Sequence, residues 1–360
     1  MADKYAFDVA AGFAPQSAEG TYNTTLAGIV AAGTWGGDAD GTDQGLLLGA
    51  AGVGIGDSGL DITMEKRRLV KPPVGTSFTR PMAEHLAVDI SSFSFAFPLA
   101  GPKRTTTATP IDSDFAPLMG VEGIINGAGL VAAVWGSGVG YSWMFGSPPP
   151  FSALIVVSGL ALELKDCRCS SLAFEFTPGS VAIATATIEV GSINDPTATP
   201  LAVSALPTLD YALQSSVSSP VVESINHVWA EERGFQSLTL TITPNIVDIP
   251  DSNATDGIIK EQDGRETTIA ATMFGDSTGL GEVYEADQLF QTADSGLDEL
   301  SFTVGTAATG SDAALAYKVS IPKPEVLDVA PGKLGSKAGP TVNLVAGHGT
   351  ANTELEITNI

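Results

Sequence analysis

Ser237-Leu-Thr-Leu-Thr-Ile-Thr243 decides the fold class. Apolar side chains fall at every second position with hydroxyls between them, the period of a strand with one buried and one wet face. The stretch from His85 to Leu99 alternates in the same way. Leu86, Val88 and Ile90 share one face and, after a shift at Ser91-Ser92, Phe93, Phe95 and Phe97 share the other, which predicts a strand with a bulge in its middle. The two stretches correspond within a layout that occurs twice. Each half ends in a strand run with similar punctuation, Ile183-Ala-Thr-Ala-Thr-Ile-Glu-Val-Gly-Ser-Ile193 and Ala351-Asn-Thr-Glu-Leu-Glu-Ile-Thr-Asn-Ile360.

Composition points the same way. The 40 glycines and 22 prolines, with abundant Thr, Ser and Val, favour strands and turns, so the chain is expected to be mostly β. Its 360 residues suffice for two domains, each with its own core. The expected boundaries are an extended N-terminal arm over 1–60, a first β domain over 61–195, a linker over 196–204 and a second β domain over 205–360. The linker rests on Asn194-Asp-Pro-Thr-Ala-Thr-Pro200, where Pro and Thr resist helix and ladder alike.

Within these units, a hairpin is expected from Asp61 to Arg80 around Lys71-Pro-Pro-Val-Gly75, carrying Lys66, Arg67, Arg68, Lys71 and Arg80, the densest basic cluster. One short helix is expected in each unit, over 112–130 and over 282–293. Further strands are expected at 139–146, 151–165, 169–177, 181–190, 267–274, 300–305, 313–321, 341–346 and 352–358, with a polar loop at 245–266.

A formal charge of −24 weighs against binding of nucleic acid through phosphate neutralisation, which needs clustered Lys and Arg. Cys167 and Cys169, the only cysteines, lie two apart on one strand face and close no loop, so they read as reduced thiols. The N-terminus lacks a secretory pattern and no run reaches membrane-helix length, so a soluble cytosolic product without membrane insertion is expected.

The catalytic motifs lack their contexts. Gly275-Asp-Ser277-Thr-Gly279, followed by Asp298 or Asp312 and then His348, fits the nucleophile elbow and residue order of an α/β-hydrolase. Such an enzyme needs alternating strands and helices before its serine, whereas strand follows strand here. A serine hydrolase using Ser277 and His348 remains the alternative of a different class. Gly56-Asp-Ser58-Gly59 has no histidine upstream, and Gly54-x-Gly56-x-x-Gly59 has no strand–turn–helix around it. Asp38-Ala-Asp40-Gly-Thr-Asp43 lacks the closing Glu of a calcium loop, and Asp251-Ser-Asn253-Ala-Thr-Asp256-Gly257 misplaces its Gly. His85, His227 and His348 have no zinc spacing, and Trp135, Tyr141, Trp143 and Phe145 read as core aromatics. No catalytic residue, metal or cofactor is expected.

With those motifs set aside, the chain resembles the tail tube proteins, or major tail proteins, of long-tailed bacteriophages in their fused two-domain form. The resemblance rests on Phe13-Ala-Pro-Gln-Ser-Ala-Glu-Gly-Thr21, on Leu86 to Gly101 followed by a short helix near Asp114 to Gly129, and on Tyr317-Lys-Val-Ser-Ile-Pro-Lys-Pro324 through to Ile360. It covers most of the chain. It implies two tandem tail-tube-like β-sandwich or barrel domains, each with one short α-helix, and trimeric rings that stack into a tube with a closed β-barrel around the bore. It also implies a place in the virion tail after synthesis in the host bacterial cytoplasm, with the tape measure, tail terminator and distal tail proteins as partners. Genomic DNA would pass through without specific binding.

DNA carries about one negative charge per 1.7 Å of axis, so an acidic, hydroxyl-lined bore lets it slide where a basic one would hold it. On this reading the bore candidates are Glu163, Thr185, Thr187 and Glu189 in the first unit and Glu354, Glu356 and Thr358 in the second, with Thr187 and Glu189 matching Glu354 and Glu356. The plainer reading makes these the solvated outer faces of sheets. The basic cluster Lys66, Arg67, Arg68, Lys71 and Arg80 is expected to set ring stacking, its plainer reading being a solvated hairpin. Another β-rich phage decoration or adhesin protein is the remaining alternative.

Overall fold

In a computed structural model of the protein, the described residues are 9–32, 61–70, 84–98, 129–130, 140–144, 150–157, 159–178, 182–200, 235–250, 258–273, 300–304, 317–334, 337–339, 341–347 and 353–359. They are mostly strand. The first are β1 (Val9–Pro15), helix α1 (Thr25–Ala32), β2 (Asp61–Val70), β3 (Glu84–Pro98), β4 (Gly129–Leu130) and β5 (Gly140–Met144). Next come β6 (Phe151–Val157), β7 (Leu160–Phe176), β8 (Ile183–Glu189), β9 (Ser192–Pro200), β10 (Phe235–Pro250) and β11 (Ile258–Met273). The last are β12 (Leu300–Val304), β13 (Tyr317–Ile321), β14 (Lys323–Ala330), β15 (Lys333–Leu334), β16 (Lys337–Ala338), β17 (Thr341–Gly347) and β18 (Thr353–Asn359).

Eight strands form one antiparallel path in the order β14-β17-β11-β10-β7-β8-β3-β2. Alternation builds it: Leu238, Leu240 and Ile242 on β10, Ile269 and Ala271 on β11, and Ala184, Ala186 and Ile188 on β8 are all buried, while the residues between them are half-buried or exposed. The strand β7 belongs to two layers. Its first half pairs with β6 and β9, its second with β8 and β10, and it turns between them at Asp166, which has φ 53. A non-glycine residue rarely takes this conformation unless its surroundings hold it there. Asp166 Oδ1 accepts from Gly20 N at 2.7 Å, and its own N–H donates to Gln16 Oε1 at 3.1 Å. Gly191 closes against the same corner, its N–H donating to the Asp166 carbonyl at 3.2 Å, and a Cβ added there would lie 2.6 Å from the Asp166 Cβ.

Strand order and register occur twice. Phe93 faces Ile62 on β2 and Ile188 on β8, as Ile269 faces Leu240 on β10 and Leu344 on β17. Ile188 then faces Cys169 on β7, as Leu344 faces Val326 on β14, and both pairings shift register just after that point, at Cys169/Ser171 and at Val326/Asp328. The second layer follows suit. Leu164 pairs with Ala153 on β6 as Ile321 pairs with Leu300 on β12, and β9 flanks β7 as β18 flanks β13.

Aromatic rings fill the space between layers. Phe13 on β1 lies 5.5 Å from Phe95, 6.2 Å from Phe93 and 5.9 Å from Phe151. Phe176 on β7 meets Phe302 on β12 edge to face at 4.9 Å, which ties the large sheet to the β12-β13-β18-β5-β4 sheet. Within the span expected as an extended arm, 9–32 is integral. β1 pairs along β6, and α1 buries Leu26 against Ala14, Tyr22, Leu154, Val156 and Ala161. Asn23 starts the helix, its Oδ1 accepting from the Thr25 N–H.

Several expectations need correction. The expected linker is strand over 196–200, where β9 lies along β7. A strand bonded on one side tolerates proline, which lacks only a donor on its open side. The expected polar loop at 245–266 is a hairpin, since β10 runs on to Pro250 and β11 begins at Ile258. Gly264, at φ 112, accommodates the irregular register in that hairpin. β2 pairs with β3 from Glu84 onward, while 71–83, which hold the expected turn and the expected second arm up to Arg80, lie outside the described residues. The stretch 151–165 is two strands joined through Gly159, at φ 79. The bulge expected in the His85–Leu99 strand is present: Thr63 faces Ser92 and Met64 faces Ile90, which leaves Ser91 unpaired on that side. Of the two expected helices, 129–130 belongs to β4 and the remainder lies outside the described residues.

Cys167 and Cys169 are free and buried. Burial raises both thiol pKa values, that of Cys169 to about 12, and Asp166 pushes Cys167 up further. Since the thiolate is the reactive species, neither is expected to label with a thiol reagent at pH 8 until urea unfolds the chain, when both label. Stoichiometric labelling of the native protein would contradict this placement.

Candidate functional site

The wet face of the eight-strand path carries small polar side chains interspersed with Ala96, Ala173, Ala270, Ile183 and Val345. Register carries one row from β14 to β3 through Glu325, Val345, Thr268, Thr241, Ala173, Thr185 and Ala96. Its neighbour runs through Asp328, Asn343, Ala270, Thr239, Glu175 and Ile183. On the far side Ser171, Thr187 and Ser94 line up, then Arg168, Glu189 and Ser92. Hydroxyls recur on this face because the residues facing the other way are the ones committed to the core.

Among the residues whose side chains are described, carboxylates outnumber cations on this face. Glu175, Glu266, Glu325 and Asp328 are exposed and Glu189 half-buried, against Arg168 and Lys323. Lys260 reaches in from the β10–β11 hairpin and bridges Glu189 at 2.9 Å and Asp248 at 3.0 Å, so the hairpin of the second half is clamped onto β8 of the first. Burial lowers the pKa of Arg168, while the negative charge of Glu19, Glu261 and Asp166 acts to raise it.

The expected bore residues divide between layers. Thr185, Thr187 and Glu189 alternate along β8 on the wet face. Glu163 lies in the first half of β7, in the other layer, where its Oε2 accepts from Asn194 Nδ2 at 2.7 Å. Glu354 is buried and forms an ion pair with Arg265, so it lines no water-filled surface. Glu356 and Thr358 share β18 with it, facing Ser320 and Lys318 on β13. The match of Thr187 and Glu189 with Glu354 and Glu356 therefore fails. By register Thr187 matches Asn343 and Glu189 matches Val345, because β17 and not β18 takes the place of β8.

Of the basic cluster, Lys66, Arg67 and Arg68 lie on β2, while Lys71 and Arg80 fall outside the described residues. Ser277, Asp298, Asp312 and His348 fall outside them as well, as do both calcium-like loops and the Gly54–Gly59 stretch. Tyr141 and Trp143 lie on β5 and His85 on β3. Among the described residues no group of three or more His, Cys, Asp or Glu is placed to hold a metal ion, and no helix is long and apolar enough to cross a membrane. The sequence signal for Thr239 and Thr241 was the same alternation that marked the strand. Lys260 and Glu266 were hidden by the reading of 245–266 as loop. Compared with known proteins, the chain matches no family model and no curated sequence.

Proposed function

We propose that the chain is a tail tube protein of a long-tailed bacteriophage, a non-enzymatic virion component of two tandem β domains that assembles into rings stacked as a tube. The observation that carries this reading is the repeated four-strand register. The unit β7-β8-β3-β2 recurs as β14-β17-β11-β10, and the two are joined edge to edge through β10 and β7. Among the described residues that join leaves β2 open at one end and β14 at the other, the same two kinds of edge that meet in the middle. A head-to-tail contact of this sort makes rings when its rotation closes, and closing a sheet into a barrel removes its edges. Three chains supply six such units.

The face opposite the core suits a conduit. Among the described side chains its hydroxyls, and carboxylates in excess over cations, offer duplex DNA no phosphate clamp, which supports passage of DNA during ejection without its being held. Tape measure, tail terminator and distal tail proteins are the proposed partners along and at the ends of the tube, and the virion tail the proposed location. Negative-stain microscopy of the purified full chain over a concentration series tests the assembly. Rings or tubes with a central channel are expected, and a chain that stays monomeric at every concentration overturns the reading.

A further inference from the structure

The join inside the chain is a template for the join between chains. There Thr241 faces Ala173 and Ile242 faces Leu172. In the repeated register β2 takes the place of β10 and β14 that of β7, with Thr63 matching Thr241 and Ala330 matching Ala173. The equivalent contact therefore sets Thr63 opposite Ala330 and Met64 opposite Val329. Counting on in the antiparallel sense, past Leu327 at the register shift, puts Asp328 opposite Glu65, Val326 opposite Lys66 and Glu325 opposite Arg67. Arg67 is then also diagonal to Asp328 in register. Glu325 and Asp328 are exposed on the outer strand β14, and among the described residues β2 pairs only with β3 and β14 only with β17.

The charges at the two joins are opposite in sign. The β7 residue that matches Glu325 is Arg168, and the hairpin beside it carries Glu261, Asp263 and Glu266. Inside the chain an acidic hairpin meets a basic strand position. Between chains a basic hairpin segment, Lys66-Arg67-Arg68, would meet an acidic one. Opposite charges across a strand pair stabilise it and like charges oppose it: Glu65 opposite Asp328 counts against this contact, and Arg67 opposite Glu325 is the pair by which β14 accepts β2 of another copy over that copy's β10–β11 hairpin.

We propose that β2 of one copy pairs with β14 of a second copy in this register, Arg67 opposite Glu325, and that the reversed charge decides which edges meet. The proposal rests on the tube reading for edge-to-edge assembly, and it gives the basic segment a lateral role within a ring in place of the stacking role expected from sequence. Arg67→Glu and Glu325→Arg in the full chain are each expected to raise the concentration at which rings appear by about tenfold or more, since like charges directly opposite one another destabilise a strand pair. The two together restore assembly. Thr63→Cys with Ala330→Cys is expected to give disulfide-linked oligomers on oxidation, the native thiols being buried. Rings that form normally with either single charge reversal, or that yield no cross-link, overturn this contact and leave the tube reading standing. Rings that form but fail to stack with Arg67→Glu return the hairpin to stacking and also overturn it. A wild-type chain that never assembles overturns both.

Discussion

Replacing Glu354 by Ala is expected to cost about 3–5 kcal/mol, because it strands a buried guanidinium without its counter-charge. Arg265 and Glu354 pair across two layers, β11 of the large sheet and β18 of the other, with side chains 2% and 3% exposed. Burial lowers the pKa of Arg265 and the Glu354 charge works against that fall, so the guanidinium depends on this partner. Replacing both residues by apolar ones of similar size, Arg265→Met with Glu354→Leu, is expected to be near neutral or stabilising, since desolvating the two charges offsets much of their attraction. Urea unfolding monitored by tryptophan fluorescence and far-UV circular dichroism separates the cases. A loss below about 0.5 kcal/mol for Glu354→Ala is what a solvated surface carboxylate gives. That result would return Glu354 to the bore set and contradict its burial.

The fate of Glu354 shows what alternation carries and what it does not. A period of two assigns residues to faces, so Ser237–Thr243 and the Ser91 bulge were readable, and so was the β8 face with Thr185, Thr187 and Glu189. It does not say which strand lies alongside, and β18 pairs with β13 and β5 while β8 pairs with β3 and β7. A repeat was expected from sequence, but its assigned partners were wrong: the ends of the two halves are β8 and β18, which do not match, and Ser237–Thr243 on β10 matches β2 and not the Phe93–Phe97 strand β3. No single spacing aligns the repeat, because the connections between strands differ in length, and one common offset therefore matched β8 to the wrong partner. The second half of the β10–β11 hairpin was missed for a compositional reason. Gln262-Asp-Gly-Arg-Glu266 has poor strand propensity and no apolar residue to mark its period. The joining of the halves through β10 and β7 left no trace in sequence at all, since neither strand carries a mark that tells a shared edge from a free one.

Phe176→Ala is expected to remove a further about 3–5 kcal/mol, the cost of deleting a fully buried ring and leaving a cavity that its neighbours fill only in part. Phe176 is 1% exposed, stacks on Phe174 at 6.5 Å and meets Phe302 at 4.9 Å. Its register partner on β10 is Leu238, so the cavity would open beneath the strand pair that joins the two halves. Domains of ordinary size hold only about 5–15 kcal/mol in all, and a loss of this size leaves little margin. Phe176→Leu keeps most of the volume and is expected to cost less than about 1.5 kcal/mol. Leu160→Ala, at a side chain 50% exposed, is expected to stay within about 0.5 kcal/mol. If the junction is the element on which assembly depends, Phe176→Ala also lowers the yield of rings under conditions where Leu160→Ala does not. Equal stability loss at the two positions in denaturant titrations would contradict the packing of β7 against β12.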